Sequence, residues 1–202
     1  MIARTTLKDT AGTTMGTAEL TQSFGGLVTV AVTLDGAPPG GHALHLHAVG
    51  ACDPEGDAPF ASAGDHFNPA GAAHPEHAGD LGNMGTDTAG HGEFWTVADR
   101  FTLSPSPSSL LDGDGSALIL TAGMDDQTSA PDGNSGPRIA CGVLSPVDRD
   151  APTDAGVLNL TMLALGGLII GSGSLLAFQG WRTRRRTRSR PQLAQRPPSA
   201  QE

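Results

Sequence analysis

Between Gly41 and Asn83 the chain reads GHALHLHAVGACDPEGDAPFASAGDHFNPAGAAHPEHAGDLGN, and this stretch constrains the fold more than any other. Six of the seven histidines and one of the two cysteines lie in it, among glycines and prolines that forbid long regular structure. Such a density of imidazole needs a chemical reason. In His45-Leu46-His47 the alternation of an extended strand points both imidazoles to one face and Leu44 and Leu46 to the other, a ready pair of metal ligands. Further on, His66, His74, His77 and Asp80 offer three nitrogens and a carboxylate, the set that fills the tetrahedral shell of a closed zinc site. The residues therefore point to two metal sites in one loop.

Three motifs follow one another here: His45-Leu46-His47, then Ala63-Gly64-Asp65-His66-Phe67-Asn68-Pro69, then His77-Ala78-Gly79-Asp80-Leu81-Gly82-Asn83. A fourth, Gly136-Pro137-Arg138-Ile139-Ala140-Cys141-Gly142-Val143, lies nearer the C-terminus. In kind and order they resemble the copper/zinc superoxide dismutases, and the likeness spans roughly residues 3 to 146. The resemblance implies that His66 bridges two metals, with His74, His77 and Asp80 completing zinc. The spacing from His66 to His74 matches the family, while the gap to His77 is shorter than usual. It further implies copper on His45, His47 and His66, a carboxylate at Asp125 tying a copper histidine to a zinc histidine, and Arg138 attracting superoxide. The family's fourth copper ligand is a histidine at the position held here by Thr121, and a neutral hydroxyl is a poor ligand for copper in either oxidation state. Zinc is thus the expected metal and copper the weaker one. Met124, three residues on, carries a soft sulfur, though a packing role is the simpler reading.

Around the histidines the pattern is that of short strands. Runs such as Thr17–Gln22 and Leu27–Leu34, with turn signals at Ala11-Gly12 and Gly25-Gly26, recur near 43–49, 92–103, 117–121 and 138–144. No long amphipathic helical pattern interrupts them. The fold class is all-β, a sandwich or a barrel; the resemblance implies an eight-stranded Greek-key barrel with the metals outside it. Two long irregular stretches, about 50–79 and 122–136, are of the kind that carries function. From the residues alone, Cys52 and Cys141 are either a disulfide or two buried thiols; a bond would contribute about 4 to 5 kcal/mol by closing so long a loop. The resemblance implies the bond. His42 has strand parity opposite to His45, and His91 sits in a hairpin signal; neither is given a role.

The formal charge of -9 averages two unlike parts. Up to Asp154 acids far outnumber Arg4, Lys8, Arg100, Arg138 and Arg149, a balance that opposes nucleic acid and obliges an anionic substrate to find local positive charge. The domain is expected at 1–146 and a linker at 147–156. From Ala155 to Trp181 there is no charge at all, enough for a membrane-spanning helix, expected at 157–181, since a bilayer needs about 20 apolar residues. The arginines from Arg182 to Arg190 then open a basic tail, 182–202, on the cytoplasmic side. This makes the β domain extracytoplasmic on a single-pass anchor in the cell membrane, and an export leader removed or upstream is expected with it. Two functions follow: a tethered superoxide dismutase slowed by Thr121, or a zinc-stabilised domain kept for copper binding or protein contacts. A homodimer is compatible with either.

Overall fold

The computed structural model of the chain describes residues 1–147. The linker beyond residue 147, the membrane helix expected at 157–181 and the basic tail lie outside the described residues. Among those described, no helix is long and apolar enough to cross a membrane.

Alternating sequence produces alternating burial. In β3 (Val28–Leu34), Val28, Val30, Val32 and Leu34 turn inward and Thr29, Ala31 and Thr33 turn toward solvent or its margin; β1 (Ile2–Lys8) and β2 (Thr14–Gln22) behave alike. After these come β4 (Gly40–His47), β5 (Asp80–Thr86), β6 (Gly92–Ala98), β7 (Ala117–Thr121), β8 (Arg138–Val143) and the short β9 (Ser145–Pro146). Hydrogen-bonded neighbours run β5-β4-β7-β8-β1-β2-β3-β6, with β9 on the side of β1. The tight Asp87–His91 turn joins β5 to β6, so the two ends of this order meet and the eight strands nearly close a Greek-key barrel. Closure leaves few open edges and encloses one core, which includes Leu20, Val30, Leu44, Phe101, Leu118 and Leu120.

Alternation fails on one wall. All five residues of β7 are buried, because Leu118 and Leu120 face the barrel core while Ala117 and Ile119 face a second cluster with Phe60, Ala63 and Cys141. The loop from Ala48 to Gly79, with a single turn of 3-10 helix at Ala61–Ala63, covers the outer face of that wall. Burying Phe60 there is worth about 2 kcal/mol, and Cys52 and Cys141, joined with Cα atoms 5.6 Å apart, fasten the loop to β8.

Two elements escape the alternation rule. Strand β5, Asp-Leu-Gly-Asn-Met-Gly-Thr, has too many small and polar residues to read as a strand. A third irregular stretch, 99–116, is held down by Phe101, Leu103 and Leu110, each nearly fully buried. The strand expected to run on to Leu103 stops at Ala98.

Candidate metal centre

Strand β4 supplies the first pair as its alternation requires. His45 and His47 are buried on the outer face, under the covering loop. Where β4 meets β5, Leu44 faces Gly82 but His45 faces Asp80, so Leu81 is an extra residue in β5. A bulge of this sort re-aims the side chains beyond it. The loop returns to β4 through Leu46, whose N–H donates to the Gly79 carbonyl at 2.9 Å and whose carbonyl accepts from Phe67 N–H at 2.8 Å. Gly79 must be glycine at this crossing, since a Cβ would run into the Leu46 carbonyl oxygen. These contacts bring His66 against His45, ring centroids 4.0 Å apart and nearly parallel.

Two groups of ligand atoms result, His66, His74, His77 with Asp80, and His45, His47 with His66; within each, the atoms lie within 4.8 Å of one another. His66 belongs to both. In the first group, Asp80 Oδ1 is 2.7 Å from His66 Nδ1, and its Oδ2 is 3.3 Å from His74 Nδ1 and 3.2 Å from His77 Nδ1. Burial opposes the charge on Asp80, but the hydrogen bond and positive potential of His66, then His77 and His74, win and hold its carboxyl at about 2.

Hydrogen bonds fix which nitrogen is free on the rings of His45, His47 and His74. His45 Nε2 is 2.9 Å from Asp125 Oδ2 and His74 Nε2 is 3.1 Å from Asp125 Oδ1, so one carboxylate spans both groups. Each ring then donates through Nε2 and keeps a lone pair on Nδ1, and Nδ1 of His45, His74 and His77 are buried without any hydrogen-bond partner. Buried, orphaned imidazole nitrogens fit metal donor sets and little else: Nδ1 of His74 and His77 beside Asp80 in the first group, and Nδ1 of His45 in the second. His47 instead donates through Nδ1 to the Gly64 carbonyl at 2.9 Å, which frees Nε2. Burial first, then His66, pushes His45 down to about 4 against the pull of Asp125; burial first, then Arg138, pushes His47 down to about 3. Both imidazoles are therefore neutral at pH 7, the form that binds a metal.

A cavity of about 650 Å³ opens over His45, His47 and His66, and Arg138 and Thr121 also line it. The guanidinium of Arg138 donates to the carbonyls of Phe60 at 2.7 Å and Gly64 at 2.8 Å, which aims it across the cavity wall. Gly64 O thus holds His47 and Arg138 together. Burial lowers the Arg138 pKa, with Asp65 and Asp132 raising it in return. Thr121 faces Arg138 across a second bulge, with Ile139 as the extra residue. Its hydroxyl is buried and satisfied by backbone, donating to the Gly123 carbonyl at 2.9 Å and accepting from Ala43 N–H at 3.2 Å. Met124 points elsewhere: it is 57% exposed and packs over Gly41, off the cavity wall.

Sequence reasoning passed over two residues that matter. Asn83 clamps Asp125 from both sides of the peptide, its amide donating to Asp125 O at 2.9 Å and its carbonyl accepting from Asp125 N–H at 2.8 Å. His42, fully buried, has its two ring nitrogens 2.7 Å from the carbonyl oxygens of Thr121 and Pro38. Parity excluded it from the metal face, yet gave no hint of this tie. His91 stays in its hairpin beside Asp35 and does not line the cavity.

The sequence profile described as copper/zinc superoxide dismutase (SODC) matches residues 14–144. The chain is 39% identical over 150 residues to superoxide dismutase (Cu-Zn) 2 of Aquifex aeolicus, covering 70% of this chain and 85% of that protein. It is 33% identical over 155 residues to the copper chaperone for superoxide dismutase of Rattus norvegicus, covering 71% of this chain and 53% of that one. Among solved structures, a SOD-like protein from Bacillus subtilis superposes with a TM-score of 0.63 at 32% identity, covering 69% of this chain and 96% of that one. With the barrel, the shared His66 and the carboxylate of Asp125 between two imidazoles, these likenesses lead to one conclusion: the chain belongs to the copper/zinc superoxide dismutase family.

Proposed function

We propose that the protein is a membrane-tethered dismutase of superoxide that works slowly, because its copper site is one imidazole short. The observation that carries the dismutase reading is Asp125, whose two oxygens meet His45 and His74 and so hold both ligand groups in one frame. His66, His74, His77 and Asp80 would hold zinc, and His45 Nδ1, His47 Nε2 and His66 would hold copper. Copper, when bound, supplies the one-electron exchange by which two superoxide anions and two protons become oxygen and hydrogen peroxide. The chain's own residues do the rest. Arg138 gives an anion its single positive contact on the cavity wall, fixed by two carbonyls so that it need not reorganise. Asp125 and Gly64 O fix the tautomers of His45 and His47, and His66, shared by the two groups, is placed to carry a proton.

The Thr121 hydroxyl is turned into the backbone, which leaves three ligand atoms on the copper side. His45, His47 and His66 would offer copper three imidazoles and no fourth, a donor set that would suit Cu(I) better than Cu(II) and so would make turnover slow. The same observation favours the second reading, a zinc-stabilised domain that captures copper without cycling it, and one relative carries the name of a copper chaperone. Thr121→His separates the two. After copper loading, superoxide decay per bound copper should rise at least tenfold in the variant, together with copper retention, an order-of-magnitude expectation for restoring a missing ligand. Fast decay by the native chain, unimproved by the histidine, would overturn the account of Thr121; no decay by either would favour copper capture.

The tether rests on sequence: the uncharged run from Ala155 to Trp181 and the arginines after it. Protease added to intact cells should remove the β domain and spare the tail. Protection of the domain would reverse the orientation.

A further inference from the structure

Phe24 is the most exposed apolar side chain among the described residues, with a relative exposure of 115%, and Leu27 beside it is 48% exposed. Both lie on the loop joining β2 to β3, within a run from Leu20 to Leu34 that carries no charged residue in an otherwise acidic domain. The base of this hairpin is fixed. Gln22 Oε1 accepts from the N–H groups of Leu103 and Ser104, both at 2.9 Å, and Ser23 N–H donates to the Leu27 carbonyl at 2.9 Å. A rigid base thus holds out two apolar side chains that the barrel leaves uncovered.

A single exposed phenylalanine is ordinary; its place in the fold is not. Strands β2 and β9 flank β1 and are both antiparallel to it, so they run the same way: Arg4 faces Glu19 on one side and Ser145 on the other, and Ala3 faces Leu20 and Pro146. Val147 N–H donates to the Ile2 carbonyl at 2.8 Å, and Ile2 faces Thr21. The chain therefore leaves the barrel level with Thr21, heading for the end where Phe24 projects, two strand spacings or about 10 Å to the side. The uncharged run begins at Ala155, after only residues 148–154, which can reach at most about 25 Å.

We propose that the Ser23–Leu27 loop is a lipid-contacting tip, with Phe24 and Leu27 seated at the boundary of headgroups and acyl chains of the bilayer that holds the C-terminal segment. The proposal rests on the tether described above. A short tether keeps the tip at high effective concentration over the bilayer, so a contact too weak to recruit a free domain suffices. The occupant is the apolar layer rather than an anionic headgroup, because the loop offers no cation and the surrounding domain is acidic.

The test uses the full chain in phosphatidylcholine vesicles. With Cys52 and Cys141 joined, Ser23→Cys provides a single thiol for a nitroxide, and Thr10→Cys labels the β1–β2 turn at the opposite end as a control. Collisions with oxygen, which enters the bilayer, are compared with collisions with a water-soluble nickel chelate. The oxygen-to-nickel ratio at residue 23 should exceed that at residue 10 about tenfold, and Phe24→Asp should abolish the difference, as expected for withdrawing one large apolar side chain from lipid. Chain that floats with the vesicles but shows equal ratios at 23 and 10 overturns the tip and spares the tether. Chain that does not float overturns the tether and the tip with it. Broadening between labels on two chains, without the oxygen preference, assigns the loop to a second copy and also overturns the proposal.

Discussion

Three imidazoles in this centre, those of His45, His47 and His74, are oriented by the atom on the far side of the ring. Asp125 selects Nδ1 of His45 and His74, and Gly64 O selects Nε2 of His47. The cost of burying these imidazoles shows in how strongly they resist protonation. In the metal-free protein, unfolded imidazoles take protons near 6.5, while the folded chain delays His45 to about 4 and His47 to about 3. The unfolded state binds more protons throughout that window, so stability rises with pH across it and is lost as pH falls from 6.5 through the folded values. Asp80, held at about 2 against an ordinary 3.8, adds a loss of the same sign at lower pH. Thermal melts of zinc-free protein should therefore show a decline on the order of a few kcal/mol between pH 7 and pH 4. A flat profile over that range would contradict the burial of neutral His45 and His47.

Elements matter here through what they press on one another. The segment 122–137 carries Asp125 and then turns back so that Gly133, at φ 67°, lies against the Asp125 carboxylate. A Cβ at Gly133 would overlap that carboxylate and would also sit on a backbone conformation that L residues avoid. Gly133→Ala should thus act as a milder Asp125→Ala, displacing the carboxylate without touching a ligand and lowering affinity for both metals by about 10- to 100-fold. Competition titration with a chelator reads this directly. Weakened zinc with unchanged copper would show that Asp125 orients His74 alone.

At the scale of the whole molecule the charge runs against the substrate. Asp65, Asp112, Asp114 and Asp132 share the cavity wall with Arg138, the only Lys or Arg among its lining residues. A negative rim lowers the local concentration of an anion, and salt relieves that effect as the screening length shortens from about 30 Å at 0.01 M to about 8 Å at 0.15 M. Superoxide decay per bound copper should accordingly rise with ionic strength, by about twofold over that range, in the native chain and in Thr121→His alike. A fall would mean that Arg138 governs the approach despite its neighbours. An acidic rim suits cations better than superoxide, which keeps copper capture in view as the second reading.

What the sequence determined by itself is what short-range geometry controls. The period of two in β4 put His45 and His47 on one face and His42 on the other, and the family resemblance carried by spaced motifs implied His66, His74, His77, Asp80, Asp125 and Arg138 as parts of one chemistry. Alternation found most strands, because half-buried strands must alternate; it missed β5, whose glycines and Asn83 serve the bulge and Asp125 rather than the core. Tertiary structure decided which carbonyl and carboxylate oxygens each ring meets, across separations such as 80 residues from His45 to Asp125 and 79 from His42 to Thr121. It also turned the Thr121 hydroxyl inward, sent Met124 away from the cavity and set the exit at Val147 level with Thr21. Such choices depend on where the closed barrel brings distant segments together, and neighbouring residues along the chain carry no record of that.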